Sequence, residues 1–86
     1  MRIVKITSMG CMSCIIMDQR LRKVCKDLRL EWEEINADME PIEPYNFIDT
    51  YPSILIIDEH GTIVSLLEGE VSESTLEKEL RVWFNA

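Results

Sequence analysis

The first six residues after Met1 include the β-branched aliphatic side chains Ile3, Val4 and Ile6, and the run stops at the small residues Ser8 and Gly10. This predicts a short strand from Arg2 to Thr7 followed by a loop. The rhythm then turns helical. Cys14, Met17, Leu21, Val24, Cys25 and Leu28 stand at offsets 0, 3, 7, 10, 11 and 14, one apolar stripe that predicts a helix from about Cys11 to Asp27. Arg20, Arg22, Lys23 and Lys26 lie on its other side as a solvated basic face, with cations toward the negative end of the helix dipole.

Leu30, Trp32 and Ile35 give Leu30 to Asn36 the rhythm of a second strand. Pro41 and Pro44 make Met39 to Tyr45 a loop, and Tyr45 to Thr50 leaves room for one short helical turn before Pro52. Ser53 to Ile57 is apolar without alternation, which predicts a central strand buried on both faces. Asp58-Glu59-His60-Gly61 is a turn, and Thr62 to Leu67 completes a hairpin. Beyond Gly69, Ser74-Thr75-Leu76-Glu77 has the S-x-x-E form of a capping box. Leu76, Leu80, Trp83 and Phe84, at offsets 0, 4, 7 and 8, predict a closing amphipathic helix. The order β-α-β-(short α)-β-β-α predicts an α/β fold in which helices pack on a central mixed four-stranded sheet.

A chain of 86 residues is expected to form one domain, 1–86, and to be monomeric. Its formal charge of −7 repels a phosphate backbone and excludes nucleic acid as a natural partner. The N-terminus carries Arg2 and Lys5 with no apolar leader behind them, and the longest aliphatic run, Ile54 to Ile57, is far too short to enter a membrane. We therefore expect a cytoplasmic protein with no membrane partner. Thiols stay reduced in that compartment, so closely spaced cysteines there point to redox or metal chemistry before structural staples. No cofactor is expected, since Gly10, Gly61 and Gly69 form no glycine-rich phosphate loop.

The chemistry concentrates in Cys11-Met12-Ser13-Cys14, between the first strand and the first helix. Unpaired amides and the positive dipole end at a helix N-terminus stabilise a thiolate at Cys11. Two cysteines three apart at a helix start can also bring their sulfurs to bonding distance, which the same pair in a strand cannot do. Cys11 is expected to be the exposed nucleophile. Cys14, at the head of the buried stripe, is expected to resolve. Cys25, farther along that stripe, reads as a core thiol, and His60 as a solvated turn residue. Met9, Met12 and Met17 read as core or as a hydrophobic collar around the thiols, and Trp32 and Trp83 as core residues of a strand and a helix.

With these residues in view, the whole chain resembles the thioredoxin and glutaredoxin superfamily. Thr50-Tyr51-Pro52 before an apolar strand is similar to the family's element carrying a cis proline that faces the disulfide. The hairpin turn at Gly61, Gly69 after the last strand and the closing helix stand where the family places them. The resemblance implies a thioredoxin-like fold and a small thiol–disulfide oxidoreductase, with Tyr51, Pro52, Met12 and Gly69 shaping the substrate groove. Its partners would be disulfide-containing proteins and an electron donor, either a reductase or glutathione. Met12-Ser13 is the dipeptide of neither thioredoxins nor glutaredoxins, and Lys5 stands where thioredoxins carry a buried aspartate. Met9-Gly10-Cys11-Met12-Ser13-Cys14 also satisfies the M-x-C-x-x-C pattern of heavy-metal-associated domains, so a soft-metal Cu(I) carrier is an alternative. A thioredoxin-fold interaction module is a third.

Overall fold

The computed structural model describes residues 1–85 of the chain. Its elements run β1 (Arg2–Thr7), α1 (Met12–Leu28), β2 (Glu33–Asn36), β3 (Ser53–Ile57), β4 (Ile63–Glu68) and α2 (Glu73–Phe84). The sheet order is β2-β1-β3-β4, with β1 parallel to β2 and antiparallel to β3, and β3 antiparallel to β4. A mixed sheet follows from the connections, since the helical crossover from β1 to β2 yields a parallel pair and the turn at Asp58 an antiparallel one.

Both interior strands are buried throughout apart from Arg2, and alternation divides their side chains between two cores. Ile3, Ile54 and Ile56 meet Met17, Leu21, Val24 and Cys25 of α1 and Leu76 and Leu80 of α2. Val4, Ile6, Leu55 and Ile57 meet Tyr45 and Ile48 of the long connection between β2 and β3. Helices thus cover one face of the sheet and an irregular segment covers the other.

That segment departs from the expected short helix. Ile48 N–H donates to the Tyr45 carbonyl at 3.0 Å and Tyr45 N–H to the Ile42 carbonyl, and these successive turns do not propagate. Pro41, Pro44 and Pro52 withhold amide donors around a stretch too short to nucleate a helix alone. Tyr45 and Ile48 still reach the core, so anchoring requires no helix here.

The second strand is shorter than its hydrophobic rhythm. Arg29 adopts a left-handed conformation (φ 59°) to close α1, and Leu30 N–H donates to the Cys25 carbonyl at 2.8 Å. Residues 29 and 30 therefore end the helix, and pairing starts at Val4 with Glu33. Trp32 lies ahead of β2 yet packs on the helix-side core. β4 begins at Ile63 because Asp58 retains Thr62 in the turn, its carboxylate accepting the Thr62 and His60 amides at 2.9 Å each. Those amides hold the Asp58 carboxyl below its usual range, the Thr62 bond contributing most.

The closing helix also starts earlier than the capping box implies. Ser72 is the N-cap, extended at φ −68° and ψ 156°, and its hydroxyl accepts the Thr75 amide at 3.1 Å. Ser74 is already helical. Ser72→Ala is therefore expected to cost about 1 kcal/mol. Ser74→Ala should change stability by no more than roughly 0.5 kcal/mol. Urea unfolding of both variants checks this, and a larger loss at Ser74 would restore the sequence-based cap.

Candidate active site

β1 delivers the chain to the N-terminal end of α1 through Ser8, Met9 and Gly10. Gly10 takes φ +70°, a left-handed conformation that glycine adopts without the cost of a Cβ. The turn is pinned from the side, for the Met9 amide donates to Asp38 Oδ2 at 2.7 Å. Cys11 follows as the N-cap of α1 instead of its first helical residue, with φ −94° and ψ 105°. Its sulfur occupies the place of a capping oxygen and accepts the Cys14 amide at 3.1 Å.

Cys11 and Cys14 are joined as a disulfide, with their Cα atoms 5.2 Å apart, inside the usual range for such a bond. The two sulfurs differ in access. Cys11 is half-buried, whereas Cys14 is 4% exposed. No acidic side chain occupies the first turn of α1, so none competes for the positive end of the helix. Once reduced, a Cys11 thiolate would keep the Cys14 N–H as a charge-assisted partner.

Residues far along the chain close the site. Cys11 Sγ lies 3.8 Å from the Tyr51 carbonyl oxygen, and the Tyr51–Pro52 peptide is cis. The buried Pro52 carbonyl accepts the Gly69 amide at 2.7 Å, tying the start of β3 to the end of β4. Tyr51, Pro52 and Gly69 thus gather on one side of Cys11. On the other, a cleft of about 390 Å³ runs along Lys5, Gly10, Cys11, Met12, Asp18 and Glu34.

The methionines separate, against a common role as core. Met17 is fully buried and its sulfur accepts the Val71 amide at 3.4 Å, but Met9 and Met12 are 68% and 72% exposed. With Ile15, also exposed on the first turns of α1, Met9 and Met12 make an apolar surface next to Cys11. Cys25 is buried in the helix-side core, and burial pushes its thiol up to about 11, which keeps it protonated and inert near neutrality. His60 is exposed in its turn. On the basic face of α1, Arg22, Lys23 and Lys26 are exposed as expected and Arg20 is half-buried. Arg20 donates to the Val71 carbonyl at 2.6 Å, and Lys23 pairs with Glu73 at 2.7 Å, fastening α1 to the approach of α2.

Sequence reasoning missed the polar cluster beneath the disulfide. Lys5 is 2% exposed, and its Nζ donates to the Cys14 carbonyl at 3.1 Å, Glu34 Oε1 at 3.2 Å and Asp18 Oδ1 at 3.5 Å. The signal was parity. Lys5 shares a face with Ile3 on a strand buried on both sides, so its ammonium had to find acceptors among the helix and the neighbouring strand.

No protein-family model matches the sequence, and no curated protein sequence does. Solved structures do. Thioredoxin 1 from the thermophilic eubacterium Thermosipho africanus superposes with a TM-score of 0.82 at 19% identity, over 99% of this chain and 96% of that one. The chain has the thioredoxin fold. Chloroplastic thioredoxin z is similar with a TM-score of 0.79 at 20% identity, over 98% of this chain and 78% of its own. Thioredoxin-2, a component of malaria parasite protein secretion machinery, gives 0.80 at 16% identity, over 93% and 80%. Coverage from end to end means that the thioredoxin fold accounts for both helices and all four strands described above. Among the described residues, no helix is long and apolar enough to cross a membrane.

Proposed function

We propose that the protein is a small thiol–disulfide oxidoreductase acting on protein disulfides, with Cys11 as nucleophile and Cys14 as resolving thiol. The observation that carries this reading is the asymmetric Cys11–Cys14 disulfide at the start of α1, one sulfur half-exposed and facing an amide, the other buried behind it. In the reducing direction, the Cys11 thiolate attacks one sulfur of a substrate disulfide, and the other sulfur departs as a thiolate that takes up a proton. Cys14 then loses its proton and attacks Cys11 Sγ. The second substrate sulfur is released as a thiol, and the Cys11–Cys14 disulfide is left behind. Two electrons pass to the substrate, and a cellular dithiol or glutathione would return them.

The surroundings support the same roles. The Tyr51 carbonyl beside Cys11 is an acceptor for an extended substrate segment, Pro52 and Gly69 form the neighbouring wall, and exposed Met12 offers an adaptable apolar contact. Cu(I) transfer is the rival, because Met9, Cys11 and Cys14 supply soft ligands. The thioredoxin fold, with its closing α2 and its Tyr51–Pro52 element, weighs against that reading.

The reduced protein should cleave the disulfides of insulin in the presence of dithiothreitol and bind no Cu(I) tightly under anaerobic conditions. Tight binding of one Cu(I) per chain without insulin cleavage would replace the proposal with metal transfer. Neither activity, with partner binding surviving Cys11→Ser and Cys14→Ser together, would indicate an interaction module.

A further inference from the structure

Lys5 is a costly residue in its position. Lysine is almost never buried to this degree without partners, and removing an ammonium from water costs several kcal/mol before pairing. The Lys5 stem runs through the helix-facing side of β1, and its Nζ meets the Asp18 and Glu34 carboxylates, with the Trp32 ring centroid 5.7 Å away. Neither carboxylate is deeply buried. Its shortest hydrogen bond goes instead to the main-chain carbonyl of Cys14, at 3.1 Å. A full positive charge therefore sits beneath the first turn of α1, one hydrogen bond from the buried cysteine of the redox pair.

The charged groups around it are few and lie along the same cleft as the cysteines. α1 contributes Asp18 and Arg22, which bond each other at 2.8 Å, and β2 contributes Glu34. Across the sheet, the β3 residue opposite Lys5 is Ile54, which carries no charge.

We propose that Lys5 is a positioning residue for the disulfide chemistry. Its ammonium, opposed by Asp18 and Glu34, sets how readily the reduced Cys11–Cys14 pair carries negative charge, and through this the redox equilibrium of the pair. The inference rests on the thiol–disulfide reading given above.

The direction of the effect follows from charge balance. Two glutathione thiols reduce the disulfide, giving the Cys11 and Cys14 thiols and one oxidised glutathione. Two electrons enter the pair and both protons come from glutathione. The disulfide is neutral, so nearby charges act mainly on the reduced form once one of its thiols ionises. A cation stabilises that thiolate and draws the equilibrium toward the reduced pair. The two carboxylates do the reverse. Removing Lys5 leaves both carboxylates in the cysteines' cleft without their counter-ion, whereas neutralising Asp18 leaves the cation less opposed.

Full-length wild type, Lys5→Met and Asp18→Asn should be equilibrated in glutathione buffers, and the pH midpoint of Cys11 alkylation by iodoacetamide measured on each reduced protein. Methionine fills the stem's volume without the charge. Lys5→Met is expected to lower the equilibrium constant for reduction at least tenfold, about 30 mV for a two-electron couple, and to move the alkylation midpoint to higher pH. Asp18→Asn is expected to move both quantities the opposite way. A purely structural Lys5 would alter thermal stability without shifts of opposite sign. A folded Lys5→Met protein with unchanged equilibrium and midpoint overturns the proposal. If Lys5→Met does not fold, Asp18→Asn decides, since its side chain is 28% exposed, and the absence of its shift overturns the proposal equally. A wild-type protein with no reversible couple would instead remove the oxidoreductase reading itself, a separate result.

Discussion

Reduced Cys14→Ser protein, mixed with disulfide-bonded proteins, is expected to accumulate covalent complexes through Cys11, while Cys11→Ser traps almost none and loses disulfide exchange completely. Geometry sets this order. Cys11, the N-cap, is reachable from solvent and its sulfur accepts the Cys14 amide, so a thiolate formed there would keep a charge-assisted partner. Cys14 is shielded by the fold, so it is expected to react only with a partner already bonded to Cys11. Without Cys14 the mixed disulfide has no internal thiol to resolve it, because Cys25 is buried in the helix-side core and held protonated. Non-reducing gels with mass analysis of the trapped species measure the effect. Equal trapping by the two variants would reverse or abolish the assigned roles.

The largest expected loss of stability belongs to Leu80→Ala. Leu80 lies on the inward side of α2, fully buried against Ile54, Ile56 and the α1 stripe, and its truncation should cost about 2 to 5 kcal/mol. A domain of this size is held by roughly 4 to 13 kcal/mol in total, so one side chain removes a large part of the margin. Each kcal/mol corresponds to about 4 to 8 °C in a domain of 60 to 100 residues, and a melting point lower by at least ~8 °C is expected. Val82, on the same helix but 67% exposed, provides the comparison, with Val82→Ala staying within roughly 0.5 kcal/mol of wild type. Similar losses at both positions would show that α2 does not pack as described.

Periodicity made the regular elements legible. β1 and β3 fall where their apolar runs lie, because strands in the middle of a sheet bury both faces and leave an unmistakable pattern. The stripe from Cys14 to Leu28 placed α1 and, with it, the cysteines at a helix start. Boundaries were lost where local chemistry overrode periodicity. Arg29 and Leu30 end α1 instead of beginning β2, Asp58 keeps Thr62 in the turn, and Ser72 caps α2 ahead of the S-x-x-E pattern. The segment before Pro52 carries apolar residues that a short helix or a series of turns could bury equally well, and its prolines favoured turns.

At the site, the sequence located the two sulfurs that the fold pairs, and the resemblance pointed to Tyr51, Pro52 and Gly69, which the fold brings to the same end of the molecule. Of the two places the sequence left open for Met12, core or a collar around the thiols, its exposure on the first turn of α1 fits the collar. The Lys5 cluster was invisible to motif reading. Its members are 13 and 29 residues apart along the chain, and only the strand register and the crossing of α1 over β1 unite them.

Whether Cys11 and Cys14 form a reversible two-electron couple is measured most simply by mass analysis across a series of glutathione redox buffers. Each sample is quenched by alkylation after acid unfolding, so that every free thiol is counted. One sharp transition is expected between a species with three alkylated cysteines and a species two mass units lighter before alkylation, in which only Cys25 is alkylated. A protein that stays fully reduced across the series, or an oxidised form whose disulfide includes Cys25, would contradict it.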